Sequence, residues 1–405
     1  MTMHNDAIDP RYRQFACPKI AFDPVLFEAV VLFHAQAVVD MFLQRRAALL
    51  AERSVGVIPL IERWRQRSQC GSLDAGLAWD MAFGRVQWAL ETDEVDAGDV
   101  ALHLALHLTS HGLPGDWRGS LSEAGMMRWG NWLLPVEGEV SVVSDGGQAS
   151  VSFVDFARGA PSTLSFYADE HGWQCDQPEA LLRVGIHQSI LLLPEFAIRG
   201  QLTLEDQFGS IVGYPEPDAG MADTLARALD LLARYAPDYL IWVERVIRGA
   251  VICQCKETRT RSSTWSEAPG IILLSHTTDV ATMAEMLVHE ASHQYYHVVG
   301  RVGRVDDGSD RQLYYSPAVA RERPLARVLI AYHAFANILL MYRDFRQNGL
   351  AMTGTTGWWH TAERMEADVG VLAAPLCDNP ALTAYGRALF EPLHQRVHAV
   401  AAIDG

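Results

Sequence analysis

Between Asp279 and Gly300 the chain reads as one amphipathic helix, and within it stands His289-Glu290-Ala291-Ser292-His293. Asp279 is placed to cap its start and Gly300 to end it, which predicts a helix over Val280–Val299. Residues four apart on a helix lie on one face, one turn above the other. His289 and His293 can therefore converge on a single ion, with Glu290 along the edge of that face. Ala284, Met286, Leu287 and Val288 give the helix an apolar, buried setting. In zinc peptidases a Glu at this position is the general base for metal-bound water.

Two histidines do not complete a reactive metal site, which needs a third protein ligand and open positions. His297 continues the row, but it lies about 12 Å along the axis from His289, so it is expected to be a polar helix-end residue. The remaining candidates lie downstream. His333 sits in the helical pattern Leu329-Ile330-Ala331-Tyr332-His333-Ala334-Phe335, and Glu363 and Glu366 follow Trp358-Trp359-His360. The residues alone leave His333 and the two glutamates as alternatives.

With 405 residues the chain can bury a substantial core, and its net charge of -16 argues against a nucleic-acid partner. The six cysteines are sparse and form no CxxC pair, so all are expected to be reduced and mostly buried. The start lacks an apolar signal core and no long apolar run is evident, so the expected setting is cytoplasmic, without a membrane.

Three textures divide the chain. Residues 1–128 read as helices, opened by Asp23 and Pro24 and running on through segments such as Val57–Arg67, Ala75–Leu90 and Asp99–His111. Residues 129–215 read as short antiparallel strands, among them Trp132–Val136, Val140–Ser144, Ala149–Phe156 and Thr163–Tyr167, with Asp145-Gly146-Gly147 as a turn. Trp129 and Trp132 could line a groove there, although isolated Trp residues are more often core anchors. The Gly- and Pro-containing loop before Met221 opens the last region, 216–405. It carries helices over Met221–Tyr235 and Pro237–Ile247, strands over Ala250–Cys255 and Gly270–Ser275, the His-bearing helix, and three closing helices. The fold class expected is α+β: a helical N-terminal region, a small antiparallel sheet and a mainly helical metal domain.

From Met221 to Gly405 the chain resembles the HExxH-type 2-oxoglutarate/Fe(II)-dependent peptide β-hydroxylases. The matching features run in order: Arg234-Tyr235-Ala236-Pro237; the strand Pro269-Gly270-Ile271-Ile272-Leu273-Leu274-Ser275; the segment Ala284 to His293; Tyr314-Tyr315-Ser316-Pro317; and Arg323-Pro324-Leu325 opening the His333 helix. The family carries a His nearer the Arg-Pro-Leu segment, where this chain has Ile330, and His333 stands one turn further on the same face.

The resemblance implies an iron enzyme that hydroxylates the β-carbon of a residue in a ribosomal precursor peptide, as part of natural-product biosynthesis. His289, His293 and His333 would hold Fe(II), leaving open positions for 2-oxoglutarate and O2. Arg323 would grip the distal carboxylate of 2-oxoglutarate, with Tyr315 and Ser316 supplying hydroxyls. Glu290 would then orient a ligand or a water. The implied partner is the precursor peptide, docked by the β-rich region through its strand edges; a homodimer is left open. Two other readings compete. One is a zinc metallopeptidase with Glu290 as base and Glu363 or Glu366 as third ligand. The other is a catalytically silent peptide-binding scaffold.

Overall fold

Aspartates start the helices. Asp23, Asp80, Asp96, Asp218 and Asp279 each accept a first-turn backbone N–H, at 2.8–3.0 Å in the shortest bond at each cap, and so satisfy donors that the helix itself leaves open. The computed structural model describes residues 9–69, 75–92, 94–170, 172–177, 181–185, 189–198, 210–256, 260–350 and 362–401, in a mixed α+β fold. Four helices come first: α1 (Pro24–Arg53), α2 (Val57–Gln69), α3 (Met81–Glu91) and α4 (Ala97–Ser110).

An antiparallel sheet packs beside them, made of β1 (Ser54–Val55), β2 (Gly115–Ser120), β3 (Gly125–Trp129), β4 (Trp132–Ser144), β5 (Gln148–Asp155), β6 (Ala160–Asp169) and β7 (Gly172–Cys175). Its order is β1-β2-β4-β5-β6-β7, with β3 paired to β4. It draws strands from before residue 129. The two predicted strands 132–136 and 140–144 form one strand that carries a bulge between Glu137 and Val140. The Asp145-Gly146-Gly147 turn forms as predicted: Asp145 accepts from Gly147 N and Gln148 N, and Gly146 adopts φ +99°. Trp129 and Trp132 are both buried and anchor this core instead of lining a groove.

The second sheet crosses the expected boundary near residue 215. It comprises β8 (Leu182–Val184), β9 (Ile190–Leu193), β10 (Ile211–Gly213), β11 (Gly249–Cys255), β12 (Ser262–Thr264) and β13 (Ile271–Ser275), in the order β12-β13-β11-β9-β8, with β10 on β11. β9, β11 and β13 run parallel, and α5 (Ala219–Tyr235) and α6 (Pro237–Val246) form the crossover from β9 to β11. All five residues of β13 are buried, as a strand covered on both faces requires. Ile272 and Leu274 point into the main core and Ile271 and Leu273 into a second cluster behind the sheet, which is the two-residue alternation of a strand.

Helix α7 (Val280–Gly300) lies on the main-core face. After it come the hairpin β14 (Tyr314–Ser316) and β15 (Arg321–Arg323), then α8 (Leu325–Gln347), α9 (Ala362–Ala373) and α10 (Ala384–Ala401). By length and composition alone helices α1 and α8 are long and apolar enough to cross a membrane; their apolar windows are 44% and 89% buried inside the fold. Of the cysteines, Cys17 and Cys253 are buried, Cys175 and Cys255 half-buried and Cys377 exposed, so burial is less general than expected; Cys70 lies outside the described residues.

The helical N-terminal region is keyed to the second sheet at Gly84 of α3. A Cβ there would stand 2.1 Å from the Glu267 carbonyl oxygen and 2.5 Å from the Pro269 ring, both on the approach to β13. Gly84→Ala is therefore expected to destabilise the protein by about 2–3 kcal/mol, measured as a shift of the urea midpoint at unchanged slope. A midpoint equal to wild type would mean that α3 does not sit this close.

Candidate metal centre

Helix α7 is fixed on several sides before its histidines are considered. Gln294 accepts from Gly270 N at 3.1 Å and donates to Ile271 O at 3.3 Å and to the Thr264 hydroxyl, so it ties α7 to β12 and β13. Tyr295 stacks on Trp242 of α6 with ring centroids 4.3 Å apart, and its hydroxyl donates to Trp242 O. One turn before His289, the buried Glu285 accepts from Tyr342 of α8. A helix held this way gives its side chains little freedom to drift.

On this rod one donor atom each from His289, Glu290 and His293 lies within 4.8 Å of the others, the only such three-residue cluster among the described residues. The two rings are 4.5 Å apart and nearly perpendicular, at 86°. A first-row ion with donors at ~2.1 Å needs those donors roughly 3–4 Å apart, so modest side-chain rotations would close the set. Glu290 is 0% exposed, and neither carboxyl oxygen makes a hydrogen bond of normal geometry among the described residues, the Ser262 hydroxyl being the polar group that comes near it; His293 Nδ1 is equally bare. Buried polar atoms normally find partners, and a cation would satisfy these.

The electrostatics suit an ion. Burial holds His289 down to about 4 and His293 well below its usual value, the latter helped by His289, His297, His333 and Arg323. Both rings are thus neutral near pH 7, the form that ligates. Burial raises the Glu290 carboxyl to about 8, and the nearby Ser262 hydroxyl opposes this. His297, on the last turn of α7, is held at about 3 by burial, Arg301 and Arg327, and it stays outside the cluster as the helical spacing required.

His333 does not join the set. Its ring is fully buried among backbone carbonyls: Nδ1 lies 2.9 Å from Ser292 O, and Nε2 lies 3.0 Å from Phe15 O and 2.9 Å from Ala16 O, and the neutral ring donates from one of the two nitrogens. The neighbouring Asn337 donates to Ala16 O and accepts from the Tyr239 hydroxyl. This group ties the N-terminal segment to α8, so the sequence expectation of a ligand is replaced by a structural tether. Glu366 is no substitute, since it is exposed and paired with Arg343 at 2.7 Å. The Glu363 side chain lies outside the described residues. Sequence reading placed Glu290 beside the ion but not among its ligands, because a straight-helix projection turns it off the His face.

The hairpin brings in the predicted co-substrate residues unequally. β14 and β15 pair Tyr314 with Arg323, Tyr315 with Glu322 and Ser316 with Arg321. Opposed residues share a face and neighbours alternate, so Ser316, Arg321 and Arg323 lie on one side and Tyr315 on the other. Tyr315 is 53% exposed, which corrects its expected place beside Arg323. Ser316 is fully buried, with its hydroxyl unpartnered among the described residues. Arg323 is near enough to His293 to oppose its protonation, and its charged neighbours are Arg321 and Arg327, with no carboxylate among the described residues. An uncompensated guanidinium beside a His pair is poised for an anion.

No family model matches this chain, and no curated protein matches it.

Proposed function

We propose that the chain is an Fe(II)- and 2-oxoglutarate-dependent oxygenase that hydroxylates the β-carbon of a residue in a ribosomal precursor peptide. The observation that carries the reading is the His289–Glu290–His293 cluster, with its buried carboxylate, near Arg323, which has no carboxylate partner among the described residues. Two imidazoles and one carboxylate are the donor set that non-haem Fe(II) oxygenases use, and they leave half the coordination sphere open. Glu290 takes the third ligand's place that His333 vacates. Bound iron would supply the oxidising centre at which 2-oxoglutarate and O2 are consumed.

The protein's own part is positional. His289 and His293 hold the ion as neutral rings. Glu290 contributes the charge that binds it firmly. Arg323 meets the distal carboxylate of 2-oxoglutarate as a planar two-pronged donor, and the Ser316 hydroxyl lies on the same face of the hairpin. The peptide as substrate rests on the family resemblance.

One observation favours the zinc-peptidase reading instead: a Glu290 carboxyl near 8 sits in the range of a general base working at neutral pH. The test is anaerobic titration of Fe(II)-loaded protein with 2-oxoglutarate, followed by the visible charge-transfer band of the chelate. The band is expected in the wild type. Arg323→Leu is expected to raise the 2-oxoglutarate concentration for half-formation by at least about tenfold, since a charge-assisted pair is lost, with iron content unchanged. Iron binding without any band would remove 2-oxoglutarate from the reading.

A further inference from the structure

Behind the second sheet, on the face away from α7, a cavity of about 30 Å³ opens between α3, α4 and the second hydrophobic cluster. Arg85, Arg128, His103, His107 and Asp80 supply its polar lining, and Leu193 and Ile198 belong to its apolar wall. Arg85 is only 4% exposed, and its Nε and Nη1 have no hydrogen-bond partner among the described residues. The other groups are accounted for. Arg128 donates to Asp80 at 2.6 Å, and Asp80 also caps α3 through Ala82 N. His107 Nε2 bonds Leu77 O at 2.9 Å, and its Nδ1 stands 3.6 Å from Asp80.

Charge can be counted across this wall. Asp80 offsets Arg128, and burial keeps both His103 and His107 below their usual values, so both are neutral. Asp99 is the carboxylate that acts on Arg85, from a distance; Ser122 engages its oxygens, and it shares Arg53 with Asp96. No carboxylate among the described residues contacts Arg85, whose guanidinium lines the cavity. A buried guanidinium with two open donors costs several kcal/mol unless something accepts from it. A void of ~10–15 Å³ holds one water, so this one admits a small ion with a water, and nothing as large as a sugar or nucleotide.

We infer that this cavity is a binding site for one small monovalent anion of chloride size, held by Arg85. The bound anion would join α3 to the sheet on whose other face α7 lies, so it would stabilise the scaffold without touching the metal. The inference is independent of the function proposed above.

The test uses the full chain. Chloride is titrated against gluconate at constant ionic strength, and the melting temperature is followed. A ligand that binds only the folded state raises it along a saturating curve. The wild type is expected to show that curve, and Arg85→Met to need at least tenfold more chloride for the same rise. Equal curves for the two proteins, or no saturable response in the wild type, would overturn the site. Should Arg85→Met fail to fold, wild-type crystals soaked in bromide decide the matter alone. An anomalous peak beside Arg85 upholds the site, and water there without bromide removes it.

Discussion

His293→Ala is expected to lower the affinity for Fe(II) or Zn(II) by roughly a thousandfold while leaving the fold intact. Loss of even a supporting residue around a bound metal typically costs 10–100-fold, about 1.4–2.7 kcal/mol, and a direct ligand costs more. The fold is expected to survive because His293 is only half-buried and makes no side-chain hydrogen bond among the described residues. Equilibrium dialysis with metal analysis, beside far-UV circular dichroism, measures both. Glu290→Gln then separates the two chemistries. If Glu290 is a ligand, metal affinity falls by about a hundredfold. If Glu290 is a peptidase base, the metal stays bound and only hydrolysis is lost. Unaltered affinity in His293→Ala would end the metal reading altogether.

The same carboxyl predicts a pH dependence with a definite sign. In the metal-free chain burial raises Glu290 from the usual 4.5 to about 8. The folded state therefore keeps a proton that the unfolded chain has already released. Stability from this group is full below about 4.5 and is lost as pH rises through about 8. An ion at the cluster requires the ionised carboxylate, so its affinity should climb across the same window and level off above it. His289, held at about 4, contributes no proton competition there. A flat affinity between pH 6 and 9 would place Glu290 outside the ligand set.

How much of this was legible depended on how local each signal was. The α7 cap at Asp279, the His pair and the Asp145-Gly146-Gly147 turn follow from contacts within one or two turns of chain, and each forms as read. Strand β2 did not announce itself, because Gly115-Asp116-Trp117-Arg118-Gly119-Ser120 has little β-propensity; pairing to β4 makes it a strand. The pairing of β9 with β11 was illegible for a related reason. β9 and β11 are joined by parallel pairing across two helices, which no neighbouring residue encodes. At the hairpin the two-residue alternation that turns Tyr315 away from Arg323 needed the register. His333 shows the limit most clearly. An apolar helix with one His reads the same whether the ring meets an ion or carbonyls contributed by Phe15 and Ala16, more than 300 residues away in the chain.

That distinction makes His333→Ala the other large effect. The ring is fully buried and meets carbonyl oxygens of Ser292, Phe15 and Ala16. Its removal leaves a cavity and takes the ring's one N–H from the buried carbonyls it serves, for an expected cost of about 3–5 kcal/mol. Asn337 continues to hold Ala16 O at 2.9 Å, so the N-terminal segment should loosen and not detach. Hydrogen exchange should therefore rise first at residues 10–22, where Phe15 packs on Tyr295 and Phe22. Below the unfolding transition the variant should still bind one metal ion with an affinity within about threefold of wild type, since its ring is no ligand. A folded His333→Ala protein that has lost its metal would reverse this assignment, returning His333 to the coordination sphere and Glu290 to a supporting role.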